Sequence, residues 1–154
     1  MYSPPGDKFD ALLISKEHKA WIALAPVDCA DAYNGLAGHQ ALVLLGRICV
    51  DPNLSPAFTG PNPRTTAGIS KDGRYLILMV IDGRQPGWSE GTTLYETAEW
   101  MRKLGAYDAI NFDGGGSTAM VIEGPDGKPE ELNRPSGKVE RRVANHLGVY
   151  AKRK

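Results

Sequence analysis

The chain has 154 residues, 42% of them hydrophobic and 23% charged, with Lys plus Arg and Asp plus Glu both numbering 18. That composition suits one ordinary soluble domain and excludes both the basic footprint of a nucleic-acid binder and a long acidic tail. No apolar run approaches the roughly 20 residues of a membrane span, and the opening MYSPPGDKFD lacks the basic and apolar regions of a secretory leader. Neither nucleic acid nor membrane is therefore expected as a partner, while compartment and oligomeric state are left unread. Cys29 and Cys49 are isolated and lack the spacing of a zinc site, and a disulfide between them is not readable from sequence.

In chain order, residues 9–15 and 20–25 are apolar-rich and flank the turn-like segment 16–19, which predicts a hairpin. Residues 42–50 read as a further strand. The segment 51–63 carries Pro52, Pro56, Pro61 and Pro63, which lack N–H donors, so a surface loop bordering a site is expected there. Residues 64–70 and 74–81 flank Lys71-Asp72-Gly73 and predict a second hairpin. The principal helix follows: Thr93 is its N-cap, Glu96 the capping-box partner, Leu94, Ala98, Met101 and Leu104 the apolar stripe, and Gly105 the stop. Short strands are expected at 109–112, 119–123 and 143–150. The fold class that results is α+β, a mixed β-sheet with one principal helix in a βαβ crossover, in a single domain.

The crossover matters for function. Strands 75–81 and 109–112, if parallel neighbours, would deliver Asp82-Gly83-Arg84 and Asn111-Phe112-Asp113-Gly114-Gly115-Gly116-Ser117-Thr118 to one carboxyl edge, where open α/β sheets bind ligands. Three successive glycines imply unusual backbone angles or a ligand lying on bare main chain, with amides turned to an anion. Arg64, Arg84, Arg141 and Arg142 are the candidates for a phosphate, because the guanidinium fork bonds two oxygens and keeps its charge. One of Arg141 and Arg142 is expected to face away, as a pair alternating across a strand would. Asp82 and Asp113, taken as a pair, fit either acid–base or nucleophilic work at a glycosidic bond or the holding of a hard divalent cation, and the residues alone do not choose. No cofactor is required. Ser117 lacks the GxSxG context of a serine nucleophile, and His18, His39 and His146 are scattered. Trp21 and Trp100 are expected to pack, and Trp88, on the loop after Arg84, is a candidate platform for a sugar.

The series Pro63-Arg64-Thr65-Thr66-Ala67-Gly68, Asp82-Gly83-Arg84, Ser89-Glu90-Gly91-Thr92-Thr93, Asn111 to Thr118 as quoted above, Asn133-Arg134-Pro135-Ser136 and Glu140-Arg141-Arg142-Val143-Ala144-Asn145 closely resembles the phosphodiester glycosidase family. The resemblance implies a hydrolase that splits a sugar-1-phosphodiester, of the N-acetylglucosamine-1-phosphodiester type, between anomeric carbon and phosphate oxygen. Its partner would be a glycosyl phosphodiester or polysaccharide. Matched residue by residue, the family's motif positions here are Arg64, Asp82, Arg84, Ser89, Asn111, Asp113, Gly114, Gly115, Gly116, Ser117, Thr118, Asn133 and Arg141. The catalytic expectation falls on Asp113 and Asp82, and the substrate and phosphate expectation on the others, with the amides of the glycine turn meeting phosphate. The family's upstream Asn-Gly-Gly-Phe-Phe type of motif has no counterpart in the first 40 residues. The chain is accordingly expected to be a phosphodiester glycosidase-like domain over 1–154 that lacks an N-terminal element of the family.

Overall fold

The computed structural model describes residues 8–50, 60–137 and 140–150. The first hairpin forms as expected from β1 (Ala11–Ile14) and β2 (Ala20–Ala23), and β3 (Asn34–Ala37) pairs with the other edge of β1. The segment read as one strand at 42–50 is instead a tight hairpin of β4 (Gln40–Leu44) and β5 (Arg47–Ile48). Leu45 and Gly46 make its turn with φ of 51° and 76°. Two positive φ values suit a two-residue hairpin, but leucine is not a residue that announces one. Asp108 accepts the Leu45 N–H at 2.8 Å and helps hold the bend.

β6 (Arg64–Ser70) and β7 (Leu76–Ile81) form the second hairpin, α1 (Leu94–Lys103) crosses the sheet, and β8 (Ala106–Asn111) returns along it. The helix starts where the sequence places it: the Thr93 hydroxyl accepts the Glu96 N–H at 3.1 Å, and the Glu96 carboxylate accepts the Thr93 N–H at 2.8 Å. It stops at Gly105, whose φ of 97° is open to glycine. Leu104, expected in the apolar stripe, is the C-cap residue and its side chain stays exposed.

The five-stranded sheet runs β5-β4-β8-β6-β7, and every paired neighbour among the described residues is antiparallel. The mixed sheet expected from sequence is thus corrected in one respect. β7 and β8, joined through α1, do run parallel, but β6 lies between them, so the crossover is split. The reason is the β6–β7 turn, which brings β6 back beside its own hairpin partner while β8 docks on β6's other edge. The α+β class stands, with strands dominating and one helix among the described residues.

Two cores hold the layers together. On one face Leu94, Ala98 and Met101 of α1 pack on Leu42, Val43, Ala106 and Ala109, with Ile77 and Met79 alongside. On the other, Ala67, Ile69, Ile110 and Phe112 meet Leu12 of the three-stranded sheet, with Ala20, Ile22 and Leu36 around it. Asp10 ties that sheet on, accepting the N–H groups of Ala25 at 3.0 Å and Ala41 at 2.6 Å. β9 (Val121–Glu123) and β10 (Pro129–Glu131) form a separate exposed hairpin. The strand expected at 143–150 does not form: this stretch has no regular structure and no strand partner, so β-rich composition alone was insufficient. Of the loop expected at 51–63, residues 51–59 lie outside the described residues.

Candidate functional site

Antiparallel register, rather than adjacency, assembles the site. Arg64 opens β6 opposite Ile81, which closes β7, and Thr66 stands opposite Asn111, which closes β8. The start of β6 and the ends of β7 and β8 therefore share one edge, and Arg64, Asp82-Gly83-Arg84 and Asn111 to Thr118 meet there.

The glycine turn is a short 3-10 turn over Gly115–Ser117, stitched to the start of β6. Gly115 donates to the Pro63 carbonyl at 2.9 Å, and Phe112 donates to that of Thr65 at 2.8 Å. Each glycine has a distinct physical reason. A Cβ on Gly114 would lie 2.5 Å from the Pro63 carbonyl oxygen; one on Gly115 would lie 3.0 Å from the Arg84 guanidinium; Gly116 faces Arg141 at 3.6 Å. Gly115 also has φ of 60°. The missing side chains thus leave room for a close backbone approach and for two arginines. The amides are only partly available: those of Gly115, Ser117 and Thr118 bond carbonyls of Pro63, Gly114 and Gly115. The Gly114 and Gly116 N–H groups have no acceptor among the described residues.

Arg64, Arg84, Asn111, Asp113, Gly114, Gly115, Gly116 and Arg141 all line one cavity of about 470 Å³. Arg64 is buried, donating through Nε to the Thr92 carbonyl at 2.9 Å and through Nη2 to that of Gly60 at 2.7 Å. Burial, and then the Arg84 charge, push its guanidinium below the ordinary value for arginine. Arg84 is held at φ of 56°, an uncommon backbone state for a non-glycine residue, with Nε donating to Asn62 Oδ1 at 2.9 Å. Asp113 is exposed at the mouth. It also lines, with Phe112, Gly116 and Arg141, a larger groove of about 1690 Å³ that takes in Ser117, Thr118 and Arg142. Arg141 and Arg142 are both exposed, and no strand alternation separates them.

Asp82, Ser89 and Asn133 stand apart from the cavity and build its frame. The Asp82 carboxylate accepts Trp88 Nε1 at 2.8 Å, Asn133 Nδ2 at 3.2 Å and the Arg134 N–H at 2.9 Å. Ser89 donates to the Asp82 carbonyl at 2.6 Å. Asn133 also accepts the Met120 N–H at 2.7 Å and donates to the Thr118 carbonyl at 3.2 Å, so it links β7's end to the exit of the glycine turn. Thr118 is buried and accepts the Thr65 hydroxyl at 3.3 Å. Trp88 lines neither cavity; Arg134 lies 5.4 Å from its ring centre. Asn62 and Gly38, which were not singled out by sequence, and His39, which was set aside as a scattered histidine, also line the smaller cavity. Asn62 had a signal, lying between Pro61 and Pro63 directly before the arginine motif; a Cβ at Gly38 would lie 2.7 Å from the Asn111 carbonyl oxygen, which is a tertiary fact.

Cys29 and Cys49 are free thiols. Among the described residues, no three His, Cys, Asp or Glu side chains converge to hold a metal, and no helix is long and apolar enough to cross a membrane.

An α+β sheet thus gathers three arginines and a glycine turn around one cleft at a single edge, with the Asp113 carboxylate at its mouth. The phosphodiester glycosidase family model matches residues 2–150, and the chain belongs to that family. It is 41% identical over 61 residues to mouse N-acetylglucosamine-1-phosphodiester alpha-N-acetylglucosaminidase, a match covering 40% of this chain and 11% of the mouse protein. It is 32% identical over 88 residues to an SPbeta prophage-derived uncharacterized protein of Bacillus subtilis, covering 57% and 13% of the two chains. The auto-inhibited catalytic domain of the zebrafish N-acetylglucosamine-1-phosphodiester alpha-N-acetylglucosaminidase superposes with a TM-score of 0.66 at 22% identity, over 87% of this chain and 48% of that one, which shows a shared fold. The chain thus spans about half of that domain and a small part of its curated relatives.

Proposed function

We infer that this edge hydrolyses a sugar-1-phosphodiester, of the kind named in the mouse and zebrafish relatives, to the free sugar and a phosphomonoester. The observation that carries the reading is the convergence of Arg64, Arg84, Arg141 and Asp113 on one cavity. The Arg64 guanidinium, whose charged state is disfavoured by burial and then by the Arg84 charge, is stabilised by an anion placed between the two arginines. Phosphate is that anion: its oxygens match the arginine fork, and the Gly114 and Gly116 amides add donors.

With phosphate held there, Asp113 at the mouth faces the substituent rather than the phosphorus. The C1–O bond breaks with its electron pair passing to the phosphate oxygen, where the arginines stabilise the charge, and no strong general acid is needed. Asp113 stabilises the oxocarbenium character at C1, and a water oxygen finally bonds C1 while its proton leaves through the carboxylate. Asp82, whose carboxylate is engaged by Trp88, Asn133 and Arg134, acts as a positioning residue that holds the glycine turn's exit in register. Ser89 and Asn133 share that role.

Asp113→Asn should abolish turnover of an N-acetylglucosamine-1-phosphodiester while phosphate binding persists; near-normal rates in that variant would sink the assignment. A second reading, a sugar-phosphate binding module without turnover, is favoured by one observation: the cleft is lined by Asp113 without Asp82. Wild-type chain that binds glycosyl phosphates but releases no sugar supports it. A metal-dependent phosphodiesterase would instead lose activity to a chelator.

A further inference from the structure

Two buried polar atoms at the paired ends of β4 and β8 have no hydrogen-bond partner among the described residues. Asn111 is only 5% exposed, and its Nδ2 donates to the Phe112 carbonyl at 2.9 Å, which fixes the amide so that Oδ1 is the remaining acceptor. Oδ1 has no donor. Gln40 stands directly opposite Asn111 in the β4–β8 register, and its buried Nε2 has no acceptor. Side chains directly opposite in an antiparallel pair lie on the same face, so one acceptor and one donor sit side by side at the end of the sheet. A buried polar atom left unpaired forfeits its hydration, and native chains rarely tolerate two together without a ligand or an ordered water. Asn111 itself lines the arginine cavity.

We propose that Asn111 and Gln40 form a neutral subsite next to the phosphate, taking a ligand group that both donates and accepts a hydrogen bond: a sugar hydroxyl, or the N–H and C=O of an acylamino substituent. The subsite rests on the cavity being a phosphate site, and it makes that site selective for a phosphate carried by a polar ring rather than by an aliphatic one. The ligand donates to Asn111 Oδ1 and accepts from Gln40 Nε2. A site built to bond such a group rejects the analogue lacking it, because its own polar atoms are then left bare.

Calorimetric titration of the chain with inorganic phosphate, cyclohexyl phosphate, glucose 1-phosphate and N-acetylglucosamine 1-phosphate tests this. At least one sugar phosphate should bind about tenfold tighter than cyclohexyl phosphate, the factor expected for one well-made hydrogen bond. Preference for glucose 1-phosphate identifies the hydroxyl; preference confined to the acetylated sugar identifies the acylamino group. Gln40→Leu should erase the preference while leaving cyclohexyl phosphate affinity in place, and Asn111→Leu should erase the preference as well. Cyclohexyl phosphate binding as tightly as both sugar phosphates overturns the subsite alone, and so does full preference surviving in either folded variant. Such results mean that the two amides bond each other or a water. Failure of all four ligands, inorganic phosphate included, overturns the phosphate reading and the subsite with it.

Discussion

Gly114→Ala tests the geometry of the glycine turn most sharply, because the obstruction is backbone. The added Cβ would stand 2.5 Å from the Pro63 carbonyl oxygen, about 0.9 Å short of the 3.4 Å at which ordinary contact begins. The Pro63 oxygen cannot turn aside, since it accepts the neighbouring Gly115 N–H at 2.9 Å and belongs to the residue before Arg64. The turn must instead withdraw, lengthening that bond and carrying Asp113 with it. Overpacking of this kind costs about 1–3 kcal/mol of stability. A displacement approaching 1 Å at a reacting group costs on the order of 100-fold in rate. The assay is kcat/KM for release of N-acetylglucosamine from its methyl 1-phosphodiester, beside urea unfolding of the same preparation. Gly87→Ala is the control, because Gly87 has φ of 80° but nothing within 4 Å of its Cβ position. It should show backbone strain of about 1 kcal/mol without loss of rate. A Gly114→Ala protein with kcat/KM within threefold of wild type would refute the close approach of turn and strand.

Three further outcomes follow from the same geometry. Glu96 is held below its ordinary value of 4.5 by the Thr93 N–H and then by the Thr93 hydroxyl, so its contribution is complete above 4.5 and is lost as pH falls through the lower folded value. Glu96→Gln should lower the thermal midpoint at neutral pH and converge with wild type in acid, while Thr93→Ala should cost about 1 kcal/mol; a gap in the Glu96→Gln pair that widens on acidification would contradict the cap. Asp82→Asn turns an NH2 toward the donors of Trp88, Asn133 and Arg134, which should destabilise by about 1–3 kcal/mol and shift tryptophan fluorescence; unchanged fluorescence would show that the Asp82 contacts do not hold. Gly68→Ala puts a Cβ 2.7 Å from the Ala106 Cβ and 2.6 Å from Met101 Cε, and should cost about 1–3 kcal/mol by urea unfolding, part of it recovered in Gly68→Ala with Ala106→Gly.

What was legible in the sequence was local. Thr93 with Glu96, the Lys71-Asp72-Gly73 turn and the apolar-rich runs 9–15 and 20–25 carry their structure in neighbouring residues, and each forms. The shared edge of Asp82-Gly83-Arg84 and the glycine turn was expected only for neighbouring strands; β6 separates them, and the edge is shared because both strands pair antiparallel with β6. What was not readable was long-range. Gly46 alone hints at the turn, which leucine at position 45 disguises, and nothing near Asp82 reveals that its carboxylate is engaged by Asn133 and Arg134, some fifty residues on. The glycines show the same division. Their concentration marked an unusual backbone, but only Pro63, Arg84 and Arg141 in space explain why three are needed and why few of their amides are left for a ligand.

Hydrolysis of an N-acetylglucosamine-1-phosphodiester in oxygen-18 water, with the label located by mass spectrometry, tests the central claim most directly. Cleavage at C1 with the arginine-held phosphate as leaving group places the label in the released sugar. Label in the phosphomonoester would mean attack at phosphorus and would contradict the account.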